Sequence, residues 1–177
     1  MKKKIGLVAY HVFDKKYHPL LKRYFELRWL YYTRRKDWEK YNRDQYDDFC
    51  EYLIISKDDE FLCGFRLLHS KHFPDLPMKE LLCGTHWLSE KTEIIELSRF
   101  VAETNVNMSY LTPLLLDALR WYCGCKGLDA NCFFAVMRIP LRKALQKNGV
   151  NIIKITGCMS ARHKKSHFQL VQIRIKD

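Results

Sequence analysis

The residues best suited to catalysis stand together in one short apolar stretch. Glu96, Ser98 and Arg99 lie in the sequence IIELSRF, which spans residues 94–100. A glutamate among isoleucine and leucine is expected to be buried, and burial raises the pKa of a carboxyl group. A raised pKa suits general-base catalysis, so Glu96 is the predicted base, with Ser98 and Arg99 as the other predicted catalytic residues. Alternatively, Glu96 and Arg99 only brace opposite layers of the fold.

The same stretch predicts a β-strand over residues 93–101. Alternation along a strand places Glu96 and Ser98 on one face and Arg99 on the other. If Glu96 and Arg99 serve one site, a β-bulge must interrupt the alternation, and we expect it within residues 98–102.

A second group of residues lies on a helix predicted over residues 18–36. Arg28 shares a helix face with Tyr24 and Tyr32, because each lies four positions from it. An arginine among aromatic rings either extends its charge to solvent, which is usual for a lone arginine, or is held by an anion. Trp38 follows ten residues after Arg28, and a lone tryptophan is more often part of a core than a ligand.

Two acidic residues and one further arginine complete the set. Asp44 and Asp47 lie in the sequence DQYDD, and Arg66 lies in an apolar strand segment at residues 64–68. A run of carboxylates is usually a solvated turn. This run, however, follows the predicted helix that carries Arg28 and precedes a predicted strand. Arg66 must be paired or lie at an edge, because an unpaired buried charge is costly, and a structural ion pair is a fair alternative.

Length and composition predict one globular domain spanning residues 1–177. Apolar residues make up 47% of the 177 residues and aromatic residues 14%, which is enough for a packed core. The seven cysteines are odd in number and form no Cys-x-x-Cys pair, so we expect no metal site, no disulfide framework and a reducing cytoplasm. No apolar run approaches the ~20 residues of a membrane span.

The net charge of +11 indicates an acidic partner such as a nucleic acid, an anionic membrane or an acidic protein. The basic residues are spread along the chain, and only residues 162–165 form a compact cluster. A nucleic-acid-binding module is therefore an alternative function. Glu96, Asp44 and Asp47 argue against it, because carboxylates beside a phosphate groove are unfavourable.

These residues are positioned by alternating strands and helices. Strands are predicted at 5–10, 52–56, 61–68, 93–101, 131–137, 150–156 and 167–175, and helices at 18–36, 78–82, 112–123 and 140–148. The order predicts an α/β single-domain three-layer sandwich with a mixed sheet. The strands at 93–101 and 131–137, joined by the helix at 112–123, are expected to be parallel.

In its ordered set of motifs, the chain resembles the acyl-homoserine-lactone synthase (autoinducer synthase) family. That family carries an arginine in the first helix, an aromatic residue four positions on and a tryptophan ten positions on. Here these are Arg28, Tyr32 and Trp38, although the family usually has phenylalanine at the position of Tyr32. The remaining motifs are matched, in the same order, by Asp44, Asp47, Arg66, Glu96 and Arg99.

The resemblance implies a splayed sheet like that of the GCN5-related N-acyltransferase fold, and quorum-sensing signal synthesis from S-adenosylmethionine. Its binding site would comprise Arg28, Tyr32, Trp38, Asp44, Asp47 and Arg66. An arginine matches the substrate carboxylate, and the two aspartates suit its amine and sulfonium. The aromatic rings suit stacking on its adenine or cation–π attraction to its sulfonium. No cofactor is implied, since S-adenosylmethionine is a substrate.

The acyl donor implied is an acyl carrier protein or, in some members, acyl-CoA. Carrier proteins are acidic, so the basic residues Arg138, Arg142, Lys143 and Lys147 form a predicted dock, although a solvated helix face explains them equally well. The predicted acyl pocket is lined by Phe100, Trp121, Phe134 and Val136, for which core packing is the alternative. The turn at residues 102–105 has no glycine and one acid, which favours a carrier protein over CoA.

We expect a monomer or weak dimer. The nearest alternative function is another N-acyltransferase of the same fold, which acylates an amino acid or a polyamine.

Overall fold

A computed structural model describes most of the chain. The described residues are 1–5, 7–13, 18–33, 44–72, 76–80, 82–83, 93–129, 132–155, 158–159 and 168–175. The predicted ligand Trp38 and the basic cluster at 162–165 lie outside these ranges.

Strands and helices alternate as the sequence pattern predicts. Within the described residues the strands are β1 (Lys2–Ile5), β2 (Val8–Phe13), β3 (Glu51–Lys57), β4 (Glu60–His69), β5 (Leu82–Cys83), β6 (Ile95–Ala102), β7 (Phe133–Arg138), β8 (Asn151–Lys154), β9 (Cys158–Met159) and β10 (Phe168–Arg174). The helices are α1 (Pro19–Thr33), α2 (Pro77–Glu80), α3 (Met108–Lys126) and α4 (Ile139–Lys147), with a short 3-10 helix at Gln45–Asp48. Eight of these strands, all except β5 and β9, belong to one mixed sheet, which confirms the α/β class.

The chain divides into two compact units, and each is described by itself. The first comprises residues 1–67 and 99–107. In it β1, β2, β3 and β4 pair antiparallel in sequence order. Helix α1 packs on β3 through the ring of Tyr24, whose centroid lies 5.3 Å from that of Tyr52. This helix carries Arg28 on the same buried face.

Gly64 allows the close packing in the first unit. A Cβ atom at this position would clash with the side chain of Ile54, and it would lie 3.1 Å from the carbonyl oxygen of Leu53 and 3.3 Å from the ring of Tyr24. A side chain at residue 64 would therefore displace its neighbours, and the glycine keeps α1 close to the strand that carries Arg66.

The second unit comprises residues 68–98 and 108–177. Its strands follow the order β6-β7-β10-β8, and β6 runs parallel to β7, with Ile95 opposite Phe133 and Glu96 opposite Phe134. Strand β10 pairs antiparallel with both β7 and β8. The parallel pair joined by α3 confirms the crossover predicted from the sequence.

Two element boundaries differ from the prediction. The single strand predicted at 5–10 is an antiparallel hairpin of β1 and β2. Helix α3 begins at Met108 and contains Pro113, which the sequence places at its start. The hydroxyl of Thr112 donates to the carbonyl of Met108 at 2.7 Å, one turn back along the same helix. In the described part of the chain, no helix is both long and apolar enough to cross a membrane.

Candidate active site

A buried ion pair forms the centre of the candidate site in the first unit. The two terminal nitrogens of Arg28 donate to the two carboxylate oxygens of Asp47 at 2.7 and 2.9 Å. Arg28 is fully buried and Asp47 is 4% exposed. The expectation that Arg28 extends its charge to solvent, as a lone arginine usually does, is therefore wrong. The alternative, that an anion holds Arg28, is confirmed.

Asp44 and Arg66 extend this pair. One terminal nitrogen of Arg66 donates to Asp44 at 2.5 Å and to Asp47 at 3.0 Å. Arg66 is 1% exposed, so its charge is buried in the apolar strand and is compensated by these two carboxylates. The hydroxyl of Tyr52 donates to Asp47 at 3.0 Å.

Arg99 is the third arginine of the group. It donates to Asp44 at 2.9 Å and to the hydroxyl of Tyr32 at 3.2 Å, and its guanidinium carbon lies 5.1 Å from the centre of the Tyr32 ring. We call Arg28, Asp44, Asp47, Arg66 and Arg99 the charged cluster.

The 3-10 helix holds the two aspartates in place. Asp44 is its N-cap and accepts from the backbone N–H of Tyr46 at 3.0 Å, while Asp47 accepts from the backbone N–H of Asp44 at 3.0 Å. This reciprocal capping box fixes both carboxylates relative to one another. The DQYDD sequence is therefore a capped helical turn that points its acids inward, and the solvated-turn alternative is wrong for Asp47.

The electrostatics of the charged cluster keep both acids ionised. Burial by itself would raise the pKa of Asp47, but the hydrogen-bonded guanidinium of Arg28 and the positive charge of Arg66 outweigh it and lower the pKa to about 2. Burial by itself would also raise the pKa of Asp44. The hydrogen bonds that Arg66 and Arg99 donate to its carboxylate outweigh this effect, so the pKa of Asp44 is lowered as well. Three guanidinium groups and two carboxylates leave one net positive charge.

The cluster is accessible at one end. The side chains of Arg28 and Arg66 are 0% and 1% exposed, whereas those of Arg99 and Asp44 are 16% and 23% exposed. An external anion can therefore reach Arg99, while Asp47 is enclosed by its hydrogen-bond donors.

Strand β6 contains the bulge that the sequence predicts. Two backbone hydrogen bonds flank it, from Ser70 to Ile94 and from Glu103 to Leu62, so that the nine residue steps from Ile94 to Glu103 face the eight steps from Leu62 to Ser70. Arg99 has a φ angle of +57°, in the left-handed region that residues with a side chain rarely adopt. A bulge with its extra residue in this conformation reverses the alternation of side chains at Arg99.

Glu96 belongs to the second unit and is 4% exposed, as predicted. One of its carboxylate oxygens accepts from the backbone N–H of Met78, at the start of α2, at 2.9 Å. Phe134 of the predicted acyl pocket lies opposite it on β7 and is fully buried. The predicted base therefore lies beside a large apolar side chain.

The remaining predicted residues occupy the two units as follows. Ser98 is half-buried on β6, and Phe100 is half-buried on the part of β6 that belongs to the first unit. Trp121 on α3 and Val136 on β7 are half-buried in the second unit. Their assignment to an acyl pocket stays a prediction.

The predicted dock lies on and just before α4. Arg138 is the N-cap residue and half-buried, Arg142 is half-buried and donates to the side chain of Gln146 at 3.2 Å, and Lys143 and Lys147 are exposed. The helix carries no acidic residue. Its role as a dock stays a prediction.

Sequence reasoning assigned no role in the site to two residues that contact the charged cluster. The hydroxyl of Tyr24 donates to the main-chain carbonyl of Arg99 at 2.8 Å, and that of Tyr52 donates to Asp47. Both are buried tyrosines. A buried tyrosine hydroxyl needs a hydrogen-bond partner, and this requirement was the signal that could have indicated their contacts.

No protein-family model matches the chain, and no curated protein matches its sequence. Solved structures do match its fold. The acyl-homoserine-lactone synthase LasI is 19% identical with a TM-score of 0.68, over 96% of this chain and 89% of that one. BjaI, a CoA-dependent acyl-homoserine-lactone synthase solved with S-adenosylmethionine and isopentyl-CoA, is 18% identical with a TM-score of 0.64, over 94% and 83%.

An acyl-CoA N-acyltransferase from Pseudomonas aeruginosa is 12% identical, with a TM-score of 0.60 over 93% of this chain and 98% of that one. At these identities the comparisons establish the fold. The chain therefore has the α/β fold shared by acyl-homoserine-lactone synthases and N-acyltransferases.

Proposed function

We propose that the chain is an acyl-homoserine-lactone synthase, which acylates S-adenosylmethionine from a thioester and then closes the lactone. The charged cluster carries this proposal. Its five residues come from α1, the 3-10 helix, β4 and β6, yet they form one hydrogen-bonded network with one accessible end. The fold shared with LasI and BjaI supports the same assignment.

The net positive charge of the cluster suits the α-carboxylate of S-adenosylmethionine. Arg99 is its most accessible cation, so we place the carboxylate there. Asp47 accepts from Arg28, Arg66 and Tyr52, so its role is to brace the arginines. Asp44 lies at the accessible end of the cluster, so we assign it to binding the substrate amine or sulfonium.

In the first step the substrate amine attacks the thioester carbonyl carbon. The new C–N bond forms, the C–S bond breaks, and the donor leaves as a thiolate. Glu96, directly or through one water, takes the proton that the amine loses. The Met78 N–H bonded to one oxygen of Glu96 fixes the orientation of its carboxylate. Backbone N–H groups at the β6 bulge are candidates to stabilise the oxyanion.

In the second step the methionine carboxylate oxygen attacks its own γ-carbon. The bond from this carbon to the sulfonium breaks, methylthioadenosine leaves and the lactone closes. The sulfonium is already a good leaving group, so the protein has mainly to hold the substrate in a folded conformation.

We propose an acyl carrier protein as the donor. The exposed Lys143 and Lys147 suit its acidic surface. In the turn after β6, the carboxylate of Glu103 accepts from Arg23 at 2.7 and 3.1 Å, and an acid there is unfavourable for a CoA diphosphate.

The test is to incubate the protein with S-adenosylmethionine and a panel of acyl carrier proteins and acyl-CoAs, and to detect products by mass spectrometry. Lactone together with methylthioadenosine is the expected result. No lactone with any donor, from protein shown to be folded by circular dichroism, would overturn the proposal.

The fold shared with an acyl-CoA N-acyltransferase supports a second candidate, the acylation of an amino acid or a polyamine. Its signature in the same assay, with those acceptors added, is an amide product without methylthioadenosine.

A further inference from the structure

Two tyrosine hydroxyl groups on α1 hold Arg99 from opposite ends of the residue. Tyr24 and Tyr32 lie eight positions apart, with Arg28 midway, so all three share one helix face. Tyr24 donates to the main-chain carbonyl of Arg99 at 2.8 Å, and Tyr32 accepts from the Arg99 guanidinium at 3.2 Å. One contact fixes the backbone and the other fixes the charged group.

The backbone contact occurs where the chain is strained. The φ angle of +57° at Arg99 lies in the left-handed region, where a residue with a side chain is strained. Such a conformation persists only when the surroundings hold it, and Tyr24 is fully buried and in place to do so.

The side-chain contact fixes the direction of the guanidinium. Arg99 is bound at one terminal nitrogen by Asp44 and at the other by Tyr32, whose ring also faces the guanidinium. A guanidinium held at both nitrogens presents its remaining N–H groups in one direction. Tyr32 is 8% exposed, so its ring is itself held by packing.

We propose that Tyr24 and Tyr32 are positioning residues that aim the guanidinium of Arg99 at the carboxylate of the substrate. The inference rests on the proposed function, because it assigns that carboxylate to S-adenosylmethionine. Both residues act through Arg99, so their hydroxyl groups matter for substrate binding only while Arg99 is present.

The experiment compares Tyr24→Phe and Tyr32→Phe with Tyr31→Phe, which removes an exposed hydroxyl from the same helix. Calorimetry gives the Kd for S-adenosylmethionine without any acyl donor, and steady-state assays give KM and kcat. Each of the first two variants is expected to raise Kd and KM about tenfold, as loss of a hydrogen bond to a charged or strained group implies, and to leave kcat within about threefold. Tyr31→Phe is expected to match the wild type.

The same substitutions in an Arg99→Ala background separate positioning from direct binding. We expect Tyr24→Phe and Tyr32→Phe to have no further effect on Kd there. An equal loss with and without Arg99, or no loss in either background, would overturn the inference. If Tyr24→Phe fails to fold, the Kd of Tyr32→Phe with and without Arg99 still tests the inference.

Crystal structures of the two variants keep the inference testable apart from the proposed function. If wild-type protein does not bind S-adenosylmethionine, the proposed function fails. The positioning role then stands or falls on the geometry. A displaced guanidinium in Tyr32→Phe and an altered φ at residue 99 in Tyr24→Phe support it, and an unchanged Arg99 in both refutes it.

Discussion

The guanidinium of Arg28 and the carboxylate of Asp47 meet at two points, at 2.7 and 2.9 Å, although both side chains are buried. Breaking a buried pair from one side leaves an uncompensated charge, which costs more than the pair contributes. Asp47 also faces Arg66, so its loss affects two arginines.

Asp47→Asn is therefore expected to lower the free energy of unfolding by about 3–5 kcal/mol, measured by urea denaturation. Asp117→Asn is the control, because Asp117 is 53% exposed and its pair with Arg120 is solvated. The control should lose less than about 1 kcal/mol. Equal losses in the two variants would contradict the role given to the buried pair.

The lowered pKa of Asp47 predicts a pH dependence of stability. The folded-state pKa is about 2, below its ordinary value of 3.8, so this stabilisation is complete above pH 4 and is lost as the pH falls towards 2. The stability difference between wild type and Asp47→Asn should shrink by about 2 kcal/mol over that range. Urea denaturation of both proteins at several pH values between 6 and 2 measures it, and a constant difference would refute the shift.

Glu96→Gln is expected to bind S-adenosylmethionine normally and to lose turnover by about 10²–10⁴-fold, because glutamine cannot take the proton of the amine. Its amide oxygen can still accept from the Met78 N–H, so the fold should be retained. Glu93→Gln is the control, since Glu93 precedes the same strand and pairs with the exposed Lys71. Unchanged turnover in Glu96→Gln would remove Glu96 from the role of base.

The positive φ angle of Arg99 predicts that glycine is tolerated there better than alanine. Both substitutions remove the guanidinium, so the comparison isolates the backbone. Arg99→Gly should be more stable than Arg99→Ala by about 1 kcal/mol, because glycine adopts this conformation without strain. Thermal denaturation of the two variants measures the difference, and a more stable alanine variant would argue against the bulge.

Reversing the charge of Lys143 and Lys147 tests the proposed dock. The double variant with glutamate at both positions should raise KM for an acyl carrier protein about tenfold, chiefly at low salt, and leave KM for S-adenosylmethionine unchanged. Lys57→Glu combined with Lys154→Glu, at exposed positions on β3 and β8, gives the same change in net charge and is the control. If the control and the double variant behave alike, α4 is not the dock.

Much of the fold follows from local pattern. The α3 crossover between β6 and β7 was predictable, because an apolar helix between two apolar strands implies a parallel pair. The start of α3 was not predictable in this way, because proline prefers the first turn of a helix, whereas this helix begins at Met108 and carries Pro113 in its second turn.

The candidate site was predictable in its residues and only partly in its geometry. The sequence indicated that Arg66 must be paired and that a bulge must interrupt β6. It could not indicate which acid each arginine meets, because those contacts join residues as many as 55 positions apart. The role of Tyr24 could not be predicted, because it depends on a contact with a main-chain carbonyl, which no side-chain motif records.

The long-range connectivity of the charged cluster has a consequence for how the protein matures. Arg28 and Asp47 are 19 positions apart, and Asp44 and Arg99 are 55 apart, so the charges meet only after distant segments have come together. A partly folded chain would hold these groups in water, with no complete recognition surface. Substrate should then bind only the finished fold, shifting the folding equilibrium towards it and slowing proteolysis of newly made protein.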